Sequence, residues 1–399
     1  MTDATKQIKL FQTRLYATKV DKSFFSKVLC LLLIFIPLLI PYKFPLTSYS
    51  FSTVLALLFA FSSFFISLKR RKKIKVLSIF FLLSFFVYCL FKSDDTFILV
   101  SLLAIIGLPC LNSGYLDTKF LRKTIEIISI VAALIVIFQT AVYYLFDIHI
   151  PFISLKLCTD STIEKYSPLI KTGIGADVGA YRPSAFFLEP SHFAQFCLFG
   201  LVSCLFRSNQ MTKKAILISA GIVATTSGMG ILLTAATWLF WLLVFHRDAL
   251  KKHMKMVIFT LLVFFAVGIA LYQIPFVKMA FSRITGSSGE MSAIKGRLFW
   301  WDSYFGGLTA KDLTFGFGSS NLPEDTYFTG FMTYLYAFGI IGFVLFTCAL
   351  IQLFFNSKVL SRYLILVFFL LTFFSNQTNI QGVLFNIGVI LALKSECYA

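Results

Sequence analysis

AILISAGIVATTSGMGILLTAATWLFWLLVF, residues Ala215 to Phe245, decides how this chain is threaded. An apolar helix needs about 20 residues to cross a hydrocarbon core. The run is too long for one ordinary crossing, and Thr225-Thr226-Ser227-Gly228-Met229-Gly230 breaks it in the middle. Hydroxyl side chains and glycines let backbone leave the helix inside a bundle, where the freed polar groups find internal partners. We therefore split the run into 215–226 and 229–245, two short crossings or a hairpin-like pair. Read as one crossing, it would reverse every segment after it.

The same pattern extends outward from this run. Further apolar runs cover 24–41, 50–68, 74–91, 96–111, 125–146, 190–206, 256–274, 331–355, 359–374 and 378–393. With the split they make twelve membrane segments in one integral membrane domain spanning 1–399. The expected fold class is an all-α, polytopic membrane helix bundle. Composition agrees: 58% of residues are hydrophobic and 14% charged, against roughly 25% charged in a soluble domain. An ordinary cytosolic globule is excluded. The 49 phenylalanines cluster in the apolar runs, which suits lipid-facing bulk better than a cofactor box. The first run follows a basic stretch and lacks a small-residue cleavage site, so it reads as a retained span.

A formal charge of +18 would suggest nucleic acid in a soluble chain. Here the basic residues sit mostly in short loops between apolar runs, which is a sign of membrane orientation. No nucleic-acid partner is expected. Twenty-five of the 36 Lys and Arg fall on the side that holds the N-terminal arm, Lys69 to Lys75 and Lys394. Both termini are therefore expected in the cytoplasm. The unsplit reading would put Arg247, Lys251, Lys252 and Lys255 in a short external loop, which the positive-inside rule disfavours. Two long connections, 147–189 and 275–330, then stand on the opposite face. Long loops are common places for binding and catalysis. The eight cysteines show no C-x-x-C spacing, so neither a disulfide framework nor a zinc site is indicated.

Four constellations on or beside those loops could carry chemistry. In Tyr181-Arg182-Pro183-Ser184-Ala185-Phe186-Phe187-Leu188-Glu189-Pro190-Ser191-His192, Pro190 suits the first helical position and Glu189 the cap. His192 and Gln195 follow at intervals of three, so the three side chains share a helical face. Arg182, Glu189 and His192 are costly to place at the mouth of a span, and that cost suggests a site. An Arg–Glu pair locking the loop to the bundle is the plainer alternative. The Thr225–Gly230 stretch is the second, lining a polar cavity or packing helices through small residues. The third joins Arg283 to Gly296-Arg297-Leu298-Phe299-Trp300-Trp301-Asp302-Ser303-Tyr304. Its aromatics suit an interfacial helix, and Arg297 could grip phosphate bidentately at headgroup depth. The fourth is Gly316-Phe317-Gly318, then Glu324, Asp325 and Tyr327, then Tyr334-Leu335-Tyr336-Ala337-Phe338-Gly339. Glu324 or Asp325 could serve as a base or a sugar-hydroxyl ligand, or simply as acidic helix capping. No Walker, D-x-D or H-E-x-x-H sequence is present. No metal or cofactor is expected.

In order and side these elements resemble the Wzy-type O-antigen and capsular polysaccharide polymerases, within the O-antigen ligase/polymerase superfamily. The shared pattern is R-P-S-A-F-F-L-E-P-S-H-F-A before a span, T-S-G-M-G opening another, G-R-L-F-W-W after a long loop, then G-F-G and Y-L-Y-A-F-G-I-I-G. It covers roughly residues 180–345. The resemblance implies a GT-C-like membrane fold, a bacterial inner-membrane location and periplasmic long loops. It implies a substrate glycan linked to undecaprenyl pyrophosphate, polymerised with release of that carrier, in contact with membrane lipid and open to a chain-length regulator as partner. It ties Arg182, Arg283 and Arg297 to the pyrophosphate. Trp301, Asp302 and Tyr327 become candidates for glycan contacts, and Glu189, His192 and Asp325 for acid–base roles. Ligases of that superfamily typically show His-Asn where this chain has Asp325-Thr326, which favours a polymerase. A flippase for lipid-linked oligosaccharide and a ligase are the alternatives.

Overall fold

The computed structural model describes residues 24–43, 49–69, 75–92, 94–112, 114–150, 181–208, 212–247, 305–322, 328–374 and 380–394. Twelve α-helices lie in these segments. They are α1 (Phe24–Leu38), α2 (Phe51–Lys69), α3 (Phe80–Leu90), α4 (Asp95–Leu111), α5 (Thr118–Phe146) and α6 (Pro190–Ser208). The others are α7 (Lys213–Ala224), α8 (Gly228–Phe245), α9 (Ala310–Phe315), α10 (Gly330–Phe355), α11 (Val359–Phe374) and α12 (Ile380–Leu393). An isolated antiparallel bridge links Lys43 and Ser50.

Six of the helix starts have a local cause in a side-chain cap. Asp94, Asp117, Thr212, Ser227, Thr309 and Thr329 each accept the N–H three residues on with their side-chain oxygen. Such caps satisfy backbone donors that a helix leaves open at its first turn. The Asp117 cap moves the start of α5 seven residues ahead of the apolar run at 125, a correction to the sequence reading. Lys119, Arg122 and Lys123 thus belong to a helix and not to a loop. The short α9 is a further helix within the 275–330 connection, at a place where the sequence reading put none.

The run from 215 to 245 does break. The chain turns at Thr225, Thr226 and Ser227, and α7 and α8 lie against each other. The Trp238 indole donates to Ser219 Oγ across the pair at 2.9 Å. At 1.5 Å per residue α7 is about 18 Å long, well short of the roughly 30 Å of hydrocarbon. The apolar segment expected at 256–274 lies outside the described residues, and the other eleven all coincide with helices.

One group of helices packs α3 against α10 and α2 against α4; the other packs α5 against α6 and α7. Helices α11 and α12 join them, α11 on α6 and α10, α12 on α4. Aromatic rings fill the seams. Tyr363 of α11 is stacked between Phe206 of α6 and Phe240 of α8, with centroids 4.4 and 4.6 Å away. Its hydroxyl reaches the Ala236 carbonyl at 3.3 Å. Phenylalanine therefore serves two purposes here. Phe85, Phe199, Phe206, Phe338 and Phe346 are core, whereas Phe65 and Phe138 point outward.

Among the described residues, four helices are long and apolar enough to cross a membrane, within α2, α5, α8 and α10. Only 33–39% of the residues in their most apolar windows are buried within the protein. The apolar majority faces outward, and an aqueous surround would be costly for so large a patch.

Candidate functional site

The segment before α6 is pinned to the bundle from both sides. Tyr181 stacks on Tyr143 of α5, with ring centroids 4.6 Å apart, and donates to the Ile150 carbonyl at 2.8 Å. Burial pushes its phenol up to about 12, so it stays a neutral donor through any working pH. Four residues on, Ala185 adopts φ 54°, a left-handed conformation that costs a non-glycine residue stability. Its N–H donates to the side-chain amide oxygen of a buried α5 residue, Gln139 Oε1, at 3.0 Å. Ser184 closes the turn by accepting the Phe187 N–H. Gln139→Leu removes the acceptor and leaves that N–H buried. A loss of about 1–3 kcal/mol is expected, read as a lowered unfolding midpoint of the detergent-solubilised protein.

Pro190 opens α6, as its missing N–H predicts. The Glu189 carbonyl accepts the Phe193 N–H, so Glu189 occupies the cap. Its carboxylate accepts a 2.8 Å hydrogen bond from Ser191 Oγ. One turn further, His192 and Gln195 face a recess of about 70 Å3 between the end of α1, the start of α6 and the start of α12. Asn386 of α12 completes its polar lining, and Phe187, Phe196 and Phe385 supply apolar walls. Phe196 and Phe385 stack at 5.6 Å with 15° between planes, which fixes α6 against α12.

The geometry brings together part of what the sequence pointed to. His192 and Gln195 share the recess, whereas Glu189 is engaged at the cap and is not among the lining residues. Arg182 is half-buried at the start of the same segment. Arg283, Arg297, Trp301, Asp302, Asp325 and Tyr327 lie outside the described residues. An imidazole and two carboxamides in an apolar recess can grip hydroxyl groups, and the imidazole can take a proton. Ligand pockets usually measure about 300–1,000 Å3, so this recess admits a hydroxyl-bearing edge and not a whole oligosaccharide.

The polar turn at Thr225–Gly230 has a different use. Thr225 Oγ1 donates to the Ile222 carbonyl, and Ser227 Oγ accepts the Gly230 N–H. A Cβ on Gly230 would stand 2.7 Å from the Ala194 side chain. The turn is a close-packed joint between α8 and α6. Of the two readings open in the sequence, small-residue packing is the one its contacts describe.

The G-F-G element makes a second built feature. The Phe317 and Gly318 N–H groups donate to the Tyr336 and Ala337 carbonyls at 2.9 and 2.8 Å. Those carbonyls are released because Gly339, at φ 64° and ψ −172°, breaks α10. Lys92 Nζ and Tyr88 Oη donate to the Gly316 and Phe315 carbonyls, tying the loop to the end of α3.

Among the buried polar groups that escaped the sequence reading are Gln139, Asn386 and Glu126. Each lies inside an apolar run, where a polar side chain is expensive, and that signal was there to use. Glu126 is 3% exposed and accepts from Ser203 Oγ at 2.6 Å, with Arg122 Nε 4.0 Å away. It joins α5 to α6 at the end of the bundle away from His192.

Fold and surface together define an all-helical protein of membrane-spanning character, with a small recess at one end that His192, Gln195 and Asn386 enter. Compared with protein-family models and with curated protein sequences, the chain matches none.

Proposed function

We propose that this chain is a metal-independent membrane glycosyltransferase that polymerises oligosaccharide repeat units carried on undecaprenyl pyrophosphate. Its setting would be a bacterial inner membrane, with the recess on the periplasmic face and both termini in the cytoplasm. The observation that carries this reading is the recess itself. His192, Gln195 and Asn386 converge there beside Phe187 and Leu188 of the Arg182–Glu189 segment. The ordered motifs between residues 180 and 345 support the same reading.

In this reaction an acceptor sugar hydroxyl attacks the anomeric carbon of a second lipid-linked chain. The bond from that carbon to the pyrophosphate oxygen breaks, and undecaprenyl pyrophosphate leaves. The hydroxyl proton passes to His192 as general base. Arg182, with Arg283 and Arg297 from the second loop, would neutralise charge on the leaving group. The substrate arrives activated, so positioning and charge neutralisation suffice.

The purified full-length chain, given lipid-linked repeat units in detergent, is expected to produce a ladder of longer lipid-linked glycans and free undecaprenyl pyrophosphate. Transport of intact lipid-linked repeats across vesicles, with no ladder, would sink the polymerase and favour a flippase.

A further inference from the structure

The recess at His192 carries more chemistry than the removal of one proton requires. Gln195 and Phe196 are neighbours on α6, and Phe385 and Asn386 are neighbours on α12. The Phe196–Phe385 stack therefore brings one carboxamide from each helix to the same recess. Asn386 is 5% exposed and the two rings 3% each, so packing fixes these walls.

A carboxamide differs from a hydroxyl in holding a donor and an acceptor side by side in one plane. Two carboxamides beside aromatic walls match a ligand that carries both an amide and a methyl group. An alkyl chain would cover the rings and desolvate the carboxamides without a hydrogen bond, which is costly. A bare hydroxyl would serve a carboxamide and leave the apolar walls facing water, which forgoes their burial.

Volume narrows the choice further. The recess measures about 70 Å3, room for two waters at about 30 Å3 each. An acetamido group is of that size, and a sugar ring is not.

We propose that the recess binds the acetamido group of an N-acetylated amino sugar. The amide N–H and carbonyl meet Gln195 and Asn386, and the methyl group lies against the Phe196–Phe385 stack. That the sugar is the acceptor rests on the glycosyltransferase reading above. Held by its acetamido group, the ring stays outside the recess and turns the hydroxyl on the neighbouring carbon toward His192. The carboxamides thus select the acceptor, and the imidazole takes its proton.

The test uses the purified full-length protein in a sugar-free detergent and saturation-transfer NMR. The probes are N-acetylglucosamine, N-acetylgalactosamine, glucose and galactose. At least one N-acetylated sugar should bind roughly tenfold tighter than its parent, with the acetamido methyl receiving the strongest saturation. The N-butanoyl analogue, too long for the recess, should lose that advantage. Asn386→Leu keeps the size of the side chain and removes its polar atoms, so it should cancel the preference without lowering the unfolding temperature. Gln195→Met makes the same comparison on α6 and keeps the test decisive if the first variant misfolds. Equal binding of acetylated and parent sugars, binding of neither, or an undiminished preference in both variants overturns the proposal. Extension of lipid-linked repeat units separates it from the catalytic reading. An acetamido preference without a ladder supports the sugar site and removes the polymerase, whereas a ladder without that preference sinks the acetamido site alone.

Discussion

Gly339→Ala is expected to leave almost no folded protein after extraction from the membrane. At φ 64° and ψ −172° this residue occupies a region of backbone space that side chains rarely enter, at a cost of about 1–3 kcal/mol for any other residue. Space is the larger obstacle. A Cβ there would overlap the Thr314 carbonyl oxygen and stand 2.5 Å from the Gly316 nitrogen. Those atoms are backbone and cannot turn aside. Relief requires separating the G-F-G loop from α10, which gives up the hydrogen bonds to Tyr336 and Ala337. A total of about 4 kcal/mol or more is expected, a large share of the roughly 5–15 kcal/mol that a folded domain possesses. Gly316→Ala meets the reciprocal obstacle, at φ 77° and against Ala337 and Gly339.

Two other glycines calibrate the effect. Gly307 has open space and an ordinary φ, so Gly307→Ala should change stability by under about 0.5 kcal/mol. Gly114 has open space but φ 76°, so Gly114→Ala isolates the conformational cost, about 1 kcal/mol. Monodisperse yield and thermal unfolding in mild detergent rank the series. If Gly339→Ala unfolds at the same temperature as Gly307→Ala, the loop does not pair with the broken helix.

That pairing also marks the boundary of what the sequence discloses. Both glycine motifs are visible in it, and so is the hydrophobic run of α10. Their hydrogen bonding is not, because it joins residues some twenty positions apart through backbone groups that every residue type possesses. The helices themselves were legible, since an apolar run of span length has few other destinations. The break at Thr225–Ser227 was legible for a related reason, as hydroxyls and glycine interrupt a run that leucine and isoleucine otherwise continue. The early start of α5 was hidden because its first turns carry Lys119, Arg122 and Lys123 and look like a loop. Only Asp117, a good cap, hinted at it. The recess was half legible. The spacing of His192 and Gln195 puts them on one face, but Asn386 arrives from the far end of the chain, and only packing of α12 on α6 brings it there.

On the proposed function, His192→Ala carries the second large effect, a fall in the rate of glycan extension of about 100- to 10,000-fold with the folded protein recovered in normal yield. Two roles for this histidine predict different outcomes. As a packing residue it should lower stability when truncated, and a polar residue of similar size should restore whatever activity was lost. As a proton acceptor it should lose rate with little change in unfolding temperature, and His192→Gln should fail to rescue it. Its position favours the second role. His192 is half-buried, opens onto the recess beside Gln195 and Asn386, and belongs to a helix already fixed by the Phe196–Phe385 stack. Little of the fold depends on the imidazole. Gln195→Ala and Asn386→Ala provide the comparison. On the proposed function each removes one carboxamide that would orient an acceptor hydroxyl, so each should raise KM for the acceptor with a smaller effect on kcat, about tenfold overall for the loss of one uncharged hydrogen bond. Extension by His192→Ala within threefold of wild type would remove His192 as the base and leave the recess as a binding feature only.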